Sequence, residues 1–84
     1  MSGFETNARL AEVLADVFRL PVNQIVPGLT KADVGNWDSL KQMDLVMYLE
    51  KEFGIALEIE DIVRMDSVDN VIKVLESKGV DLGA

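Results

Sequence analysis

Leu10, Val13, Leu14 and Val17 recur at i, i+3, i+4 and i+7, with Phe4 and Phe18 extending the stripe. That spacing constrains the first part of the chain to an amphipathic helix. Leu45, Val46, Leu49 and Phe53 also cluster on one side at about 100° per residue, and Val68, Val71, Ile72 and Leu75 repeat the same spacing. Three apolar stripes at helical period in 84 residues predict an all-α fold, because helices packed on one another are how such stripes leave water. Hydrophobic residues make up 49% of the chain, enough for a folded core instead of disorder. The length suits a single domain over 1–84, with one modest core.

Local signals set the expected boundaries. Ser2 followed by Glu5 has the spacing of a capping box, so the first helix is expected to begin near Ser2 and to stop before Pro21. A long connection from Arg19 to Asp38 carries Pro21, Pro27, Gly28 and Gly35, which punctuate regular structure. Loops of this length in a small domain are often functional. Val22, Ile25, Val26, Leu29 and Val34 are expected to pin it to the core. The second helix is predicted from about Leu40 to Phe53, ending at Gly54. Leu57 to Val63 reads as one or two helical turns, and the last helix opens after Ser67, a plausible cap, and ends at Gly79. The tail from Val80 to Ala84 is expected to fray. The predicted architecture is a small four-helix bundle with three main helices, one short helix and a long loop between helices 1 and 2.

Composition narrows the chemistry. The chain has no histidine and no cysteine, so a serine nucleophile lacks its usual base and thiol chemistry is excluded. Carboxylates and lysines are present, but so small a chain has little room for the dry cleft that would tune them, and an enzyme is not expected. The net charge of −7 argues against nucleic acid as a partner and for partners with basic patches. Soft metal sites and disulfides are ruled out with cysteine, which fits a reducing compartment. No apolar run approaches a membrane span, and the N-terminal sequence lacks the form of a signal peptide. A cytoplasmic monomer is the expectation.

The second predicted helix has two apolar faces. Leu45, Val46, Leu49 and Phe53 form the core side, while Leu40, Met43 and Met47 fall on nearly the opposite side, among Lys41, Asp44, Tyr48, Glu50 and Glu52. An apolar patch rimmed by charge suits docking, and methionine adapts to varied partners. Packing of Met43 and Met47 against the short third helix is the alternative. From Asp38 to Asp69 there are nine acids against three bases, so most of the net charge sits on this half. Ser39 stands between Asp38 and Leu40 at the mouth of the helix. With Gln42 three residues on, it could simply close a capping box. A phosphate ester on Ser39 would equally suit the positive end of the helix.

Asp38-Ser39-Leu40, the run from Leu45 to Ile55, and Ser67-Val68 with Ile72 and Leu75 behind it resemble the acyl carrier protein family over essentially the whole chain. Peptidyl carrier domains are similar at a lower level. The resemblance implies that a phosphopantetheinyl transferase attaches 4′-phosphopantetheine from coenzyme A to Ser39, and that the arm's thiol carries acyl groups as thioesters. It further implies that Asp38, Asp44 and Glu50 meet basic residues on acyl-loading and acyl-transfer enzymes, with Leu40, Met43 and Met47 as apolar contacts and Met65 near the arm. The helices around Leu45, Leu49, Ile62 and Ile72 would shelter an acyl chain. Carriers of fatty acid synthesis usually have an acid where this chain has Lys41, and a small residue is common where it has Trp37. These departures favour a specialised carrier, serving for instance a polyketide, modified amino acid, lipid or surface-polysaccharide pathway. The competing class is an unmodified helical adaptor that binds a basic partner through the Leu40, Met43 and Met47 patch.

Overall fold

Asn7 caps the first helix: its side-chain oxygen accepts from the backbone N–H groups of Arg9 (2.9 Å) and Leu10 (3.2 Å), two donors with no partner inside the helix. In the computed structural model, which describes residues 7–80 and 82, helix α1 therefore spans Ala8–Phe18. The cap is Asn7 and not Ser2; Ser2, Phe4 and Glu5 lie outside the described residues. After one 3-10 turn at Val22–Gln24 come α2 (Ser39–Phe53), α3 (Ile59–Arg64) and α4 (Val68–Ser77). The predicted all-helical bundle, with three longer helices, one short one and a long first loop, is what forms.

Helix ends follow the sequence signals. Gly54 (φ 66°) and Gly79 (φ 88°) take the left-handed conformation past α2 and α4 that side chains disfavour. The chain folds back after each, with Ile55 N–H donating to Glu50 O (3.2 Å) and Val80 N–H to Leu75 O (3.0 Å). Helix α1 ends the same way, but with Arg19 at φ 59°. The turn at Gly79 brings Val80 and Leu82 back against the core, and Asn7 Nδ2 donates to Leu82 O (2.6 Å). The expected fraying therefore does not extend to Val80 and Leu82; Asp81, Gly83 and Ala84 lie outside the described residues.

One apolar cluster joins the helices: Leu10, Leu14 and Phe18 of α1, Leu45 and Leu49 of α2, and Val68, Val71, Val74 and Leu75 of α4 are all fully buried, as is Met65. The long loop is seated by its backbone. Val68 N–H donates to Leu29 O (2.8 Å), Asp69 N–H to Pro27 O (3.0 Å) and Lys31 N–H to Asp66 O (2.9 Å), so the loop lies against the α3–α4 junction. Ile25 and Val34 are buried and Leu29 half-buried, as expected. Val22 and Val26 instead face solvent, at 49% and 44% exposure. From Ile25 to Leu29 the chain alternates inward and outward, which turns Val26 out, and no residue of the short turn headed by Val22 is buried.

Helix α3 has only six residues and needs external support. Asp61 supplies it: its Oδ2 accepts from Glu58 N–H (3.0 Å) at the start of α3 and pairs with Lys78 Nζ (2.8 Å) at the end of α4. The hydrogen bond from Lys78 and then that from Glu58 N–H hold the Asp61 carboxyl below its ordinary range, and Asp61 in turn raises Lys78. A carboxyl lowered by folding stabilises the fold above its unfolded pKa of about 3.9 and loses that contribution as pH falls through the lowered value. The lysine contributes below its ordinary pKa of about 10.4, and this is lost as pH rises through the raised value. Urea melts from pH 6 to pH 2.5 should therefore show a steeper loss of stability in wild type than in Asp61→Asn. Parallel curves would mean that the pair does not couple folding to protonation.

Candidate functional site

Asp38, extended at φ −105° and ψ −169°, is the cap of α2; its Oδ1 accepts from Lys41 N–H (3.0 Å), and its carbonyl from Gln42 N–H (2.8 Å). Ser39 is thus the first residue inside the helix and not its cap, which corrects the Ser39–Gln42 capping box. Aspartate caps as well as serine, and Gln42 lies three, four and seven residues before Leu45, Val46 and Leu49, on the face that is buried. Gln42 is 7% exposed and hydrogen bonds Trp37 Nε1, Ile62 O and Met65 O, so it has no capping role. Ser39 is left exposed, and its hydroxyl makes no hydrogen bond among the described residues. Sequence reasoning offered it a structural task that Asp38 performs.

Around Ser39 the outer side of α2 carries Leu40 at 78% exposure, Met43 at 51% and Met47 at 65%, so these methionines do not pack into a groove against α3. Sequence reasoning missed a second exposed apolar pair on α3, where Ile59 and Val63 are 79% and 73% exposed. Their i, i+4 spacing on an otherwise polar short helix is the signal that could have found it.

The charged and partly charged neighbours differ in what they are free to do. Asp44 is exposed. Glu50 is half-buried and its Oε2 accepts from Leu57 N–H (2.9 Å), tying the end of α2 to the chain entering α3. Met65 has no exposure; it lies in the core at the end of α3, and in this conformation it offers no surface to a partner. Tyr48 donates its hydroxyl to Asp16 Oδ2 (3.0 Å) across α1 and α2, and that hydrogen bond to a carboxylate raises the phenol pKa. Arg9 closes the other end of the α1–α2 seam, with Nε to Glu52 Oε2 at 2.9 Å and its guanidinium 4.8 Å from the Phe53 ring centre. Among the described residues no cluster of acids could hold a metal ion.

Residues 8–75 match a family model described as "Phosphopantetheine attachment site". The chain is 35% identical over 79 residues to acyl carrier protein 4, chloroplastic, of Cuphea lanceolata, covering 89% of this chain and 57% of that protein. It is 27% identical over 78 residues to an acyl carrier protein of Petrotoga mobilis, covering 93% and 92% of the two chains. An acyl carrier protein of Thermosynechococcus vestitus is 28% identical, with 93% and 96% covered. The chain thus spans about half the length of the plant relatives it matches and nearly all of the bacterial ones. It belongs to the acyl carrier protein family, whose prosthetic group is 4′-phosphopantetheine.

The site can accommodate such a group. A phosphodiester needs a reachable hydroxyl, and Ser39 presents one at the positive end of α2, next to the exposed apolar surface of Leu40 and Met43. No helix among the described residues is long and apolar enough to cross a membrane. The inward and outward faces of α2 should respond differently to truncation. Leu49→Ala removes a fully buried side chain and should cost about 2–5 kcal/mol in denaturant melts, whereas Met47→Ala, exposed on the other face, should cost far less. Equal losses would mean that Met47 belongs to the core.

Proposed function

We propose that the 84 residues work as one carrier domain, that Ser39 is where 4′-phosphopantetheine is attached, and that the exposed face of α2 is where partner enzymes dock. The observation that supports it best is the division of labour at the start of α2: Asp38 caps, Gln42 is buried, and the Ser39 hydroxyl is left exposed. Bound there, the group supplies a thiol for carrying acyl groups as thioesters, which a chain without cysteine lacks.

The chain itself is not a catalyst in this reading. Asp38, the carboxylate next to Ser39, is engaged with Lys41 N–H, and there is no histidine to take the hydroxyl proton. The base belongs to the phosphopantetheinyl transferase. This chain contributes an oriented hydroxyl and a docking surface: Leu40, Met43 and Met47 for apolar contact, and Asp38 and Asp44 for complementary charge. Glu50 adds charge to the same side but also holds Leu57, so its reversal would disturb structure as well as association. Lys41 and Lys51 interrupt the acidic series on α2, and a partner that reads this face needs acceptors among its basic groups. Together with Trp37 this supports a specialised carrier in lipid, polyketide or related biosynthesis, acting in the cytoplasm as a monomer. The loading enzymes choose the acyl group.

With coenzyme A, Mg²⁺ and a promiscuous phosphopantetheinyl transferase, the intact protein should gain one phosphopantetheine by mass, and Ser39→Ala none. Absence of the adduct where a control carrier is loaded would favour the unmodified adaptor, and an adduct on another residue would refute the site. Asp44→Lys should slow loading by reducing the association rate, with a defect that shrinks as salt rises. A rate equal to wild type at low salt would leave Asp44 with no part in docking.

A further inference from the structure

Trp37 and Gln42 bracket the serine in sequence, and their side chains meet behind it. Trp37 Nε1 donates to Gln42 Oε1 at 2.6 Å, and the two residues are 3% and 7% exposed while Ser39 and Leu40 between them are exposed. The hydrogen bond closes a ring of chain from Trp37 through Asp38, Ser39, Leu40 and Lys41 to Gln42. Both ends of this clasp are anchored. The Trp37 ring lies 4.5 Å from that of Phe18 at the end of α1, and the Trp37 backbone N–H donates to Val34 O (3.1 Å). Gln42 Nε2 donates to Ile62 O (2.7 Å) and Met65 O (3.2 Å), at the end of α3.

This geometry leaves Gln42 no choice of orientation. Turned over, its amide would aim an oxygen at two carbonyl oxygens and an NH2 at the indole N–H, so the network itself fixes which atom faces which group. Buried and satisfied on both sides, such a network orders what it spans, and loss of one member leaves polar groups without partners. First turns of helices are where fraying begins. Here the frayable turn is the one that carries the exposed serine, and it is tied to α1, α2 and α3 at once.

We infer that Trp37 and Gln42 are positioning residues for Ser39, clasping the first turn of α2 so that its hydroxyl meets a docked enzyme in one orientation; this rests on Ser39 being the attachment point. Neither side chain touches the hydroxyl, and neither lies on the exposed docking face. Their loss should therefore lower the rate of the bound reaction and leave docking nearly intact.

Two variants test this in the intact protein. Trp37→Phe keeps a ring for Phe18 to pack against and removes the indole N–H; Gln42→Met keeps the volume and removes both halves of the bridge. Each is assayed for transfer of phosphopantetheine from coenzyme A well below its melting temperature, with circular dichroism confirming native helix content. The expected result is a kcat lower by about tenfold with KM for the carrier within about twofold, because misplacing a reacting group costs rate more than binding. In Gln42→Met, emission from Trp37, the only tryptophan, should change from that of wild type. The clasp is also readable in wild type, where the indole proton should exchange with solvent far more slowly than that of a free indole. Wild-type kcat in both folded variants would overturn the positioning role, as would free exchange of the indole proton in the unmutated protein, whatever the variants do. A wild type that gains no phosphopantetheine at Ser39 would overturn the attachment reading and the positioning role with it. A protected indole proton in that case would place the failure in the assignment of the serine and not in the clasp.

Discussion

The rotation of α2 about its own axis is the constraint from which the rest of the site follows. Burying Leu45, Val46 and Leu49 against α1 and α4 admits one angular setting of the helix, since a turn of even one residue would expose part of that stripe. Gln42 lies on the same side and goes in with it; Leu40, Met43 and Met47 lie away from it and stay out. Ser39 shares a face with Val46, seven residues on, and is exposed because it opens the helix, beyond the part of that face the core covers. The core of the bundle and the exposed apolar side of α2 are therefore two results of one packing decision. The domain holds the site by ordinary hydrophobic burial, without strained geometry at the serine.

Polar groups refine what burial sets. Asp61 meets Lys78, Gln42 meets the carbonyls of Ile62 and Met65, and Glu50 meets Leu57 N–H. All three hold α3 or the chain entering it, the element too short to be stable by itself. The longer helices α1 and α4 have apolar stripes that run through several turns. Polar contacts thus support the element whose apolar pattern is weakest.

Much of this was legible in the sequence, and the parts that were not share a cause. Stripes at Leu10 to Val17, Leu45 to Phe53 and Val68 to Leu75 are periodic over several turns, and Gly54, Ser67 and Gly79 mark ends by local backbone chemistry, so these elements could be read directly. The exposed Leu40, Met43 and Met47 followed from the same periodicity. What sequence could not fix was which of several near-equivalent residues takes a role: Asp38 and not Ser39 as cap, Asn7 and not Ser2 as start, and Ile25 without Val22 and Val26 among the expected anchors. Each turns on a shift of one or a few residues that only tertiary packing decides. Met65, which the resemblance implies lies near the arm, is wholly buried at the end of α3, a burial its short and weakly patterned segment did not announce. The bridge from Trp37 through Gln42 to α3 joins groups far apart in the chain and left no periodic trace; Trp37 stood out only as an unusual residue for its place.

The loop between α1 and α2 has one further property that bears on how such a protein can diverge. It is fastened through main-chain atoms, the carbonyls of Pro27 and Leu29 and the amide of Lys31, and any side chain but proline at 31 leaves those groups in place. Val22, Asn23, Gln24, Val26 and Gly28 stand outside the core while the backbone beneath them is held. Substitution there can rewrite the surface without loosening the seat of the loop. The segment that leads the chain to its serine is thus free to vary in what it displays and fixed in where it runs, a separation that lets recognition drift among relatives while the bundle stays the same.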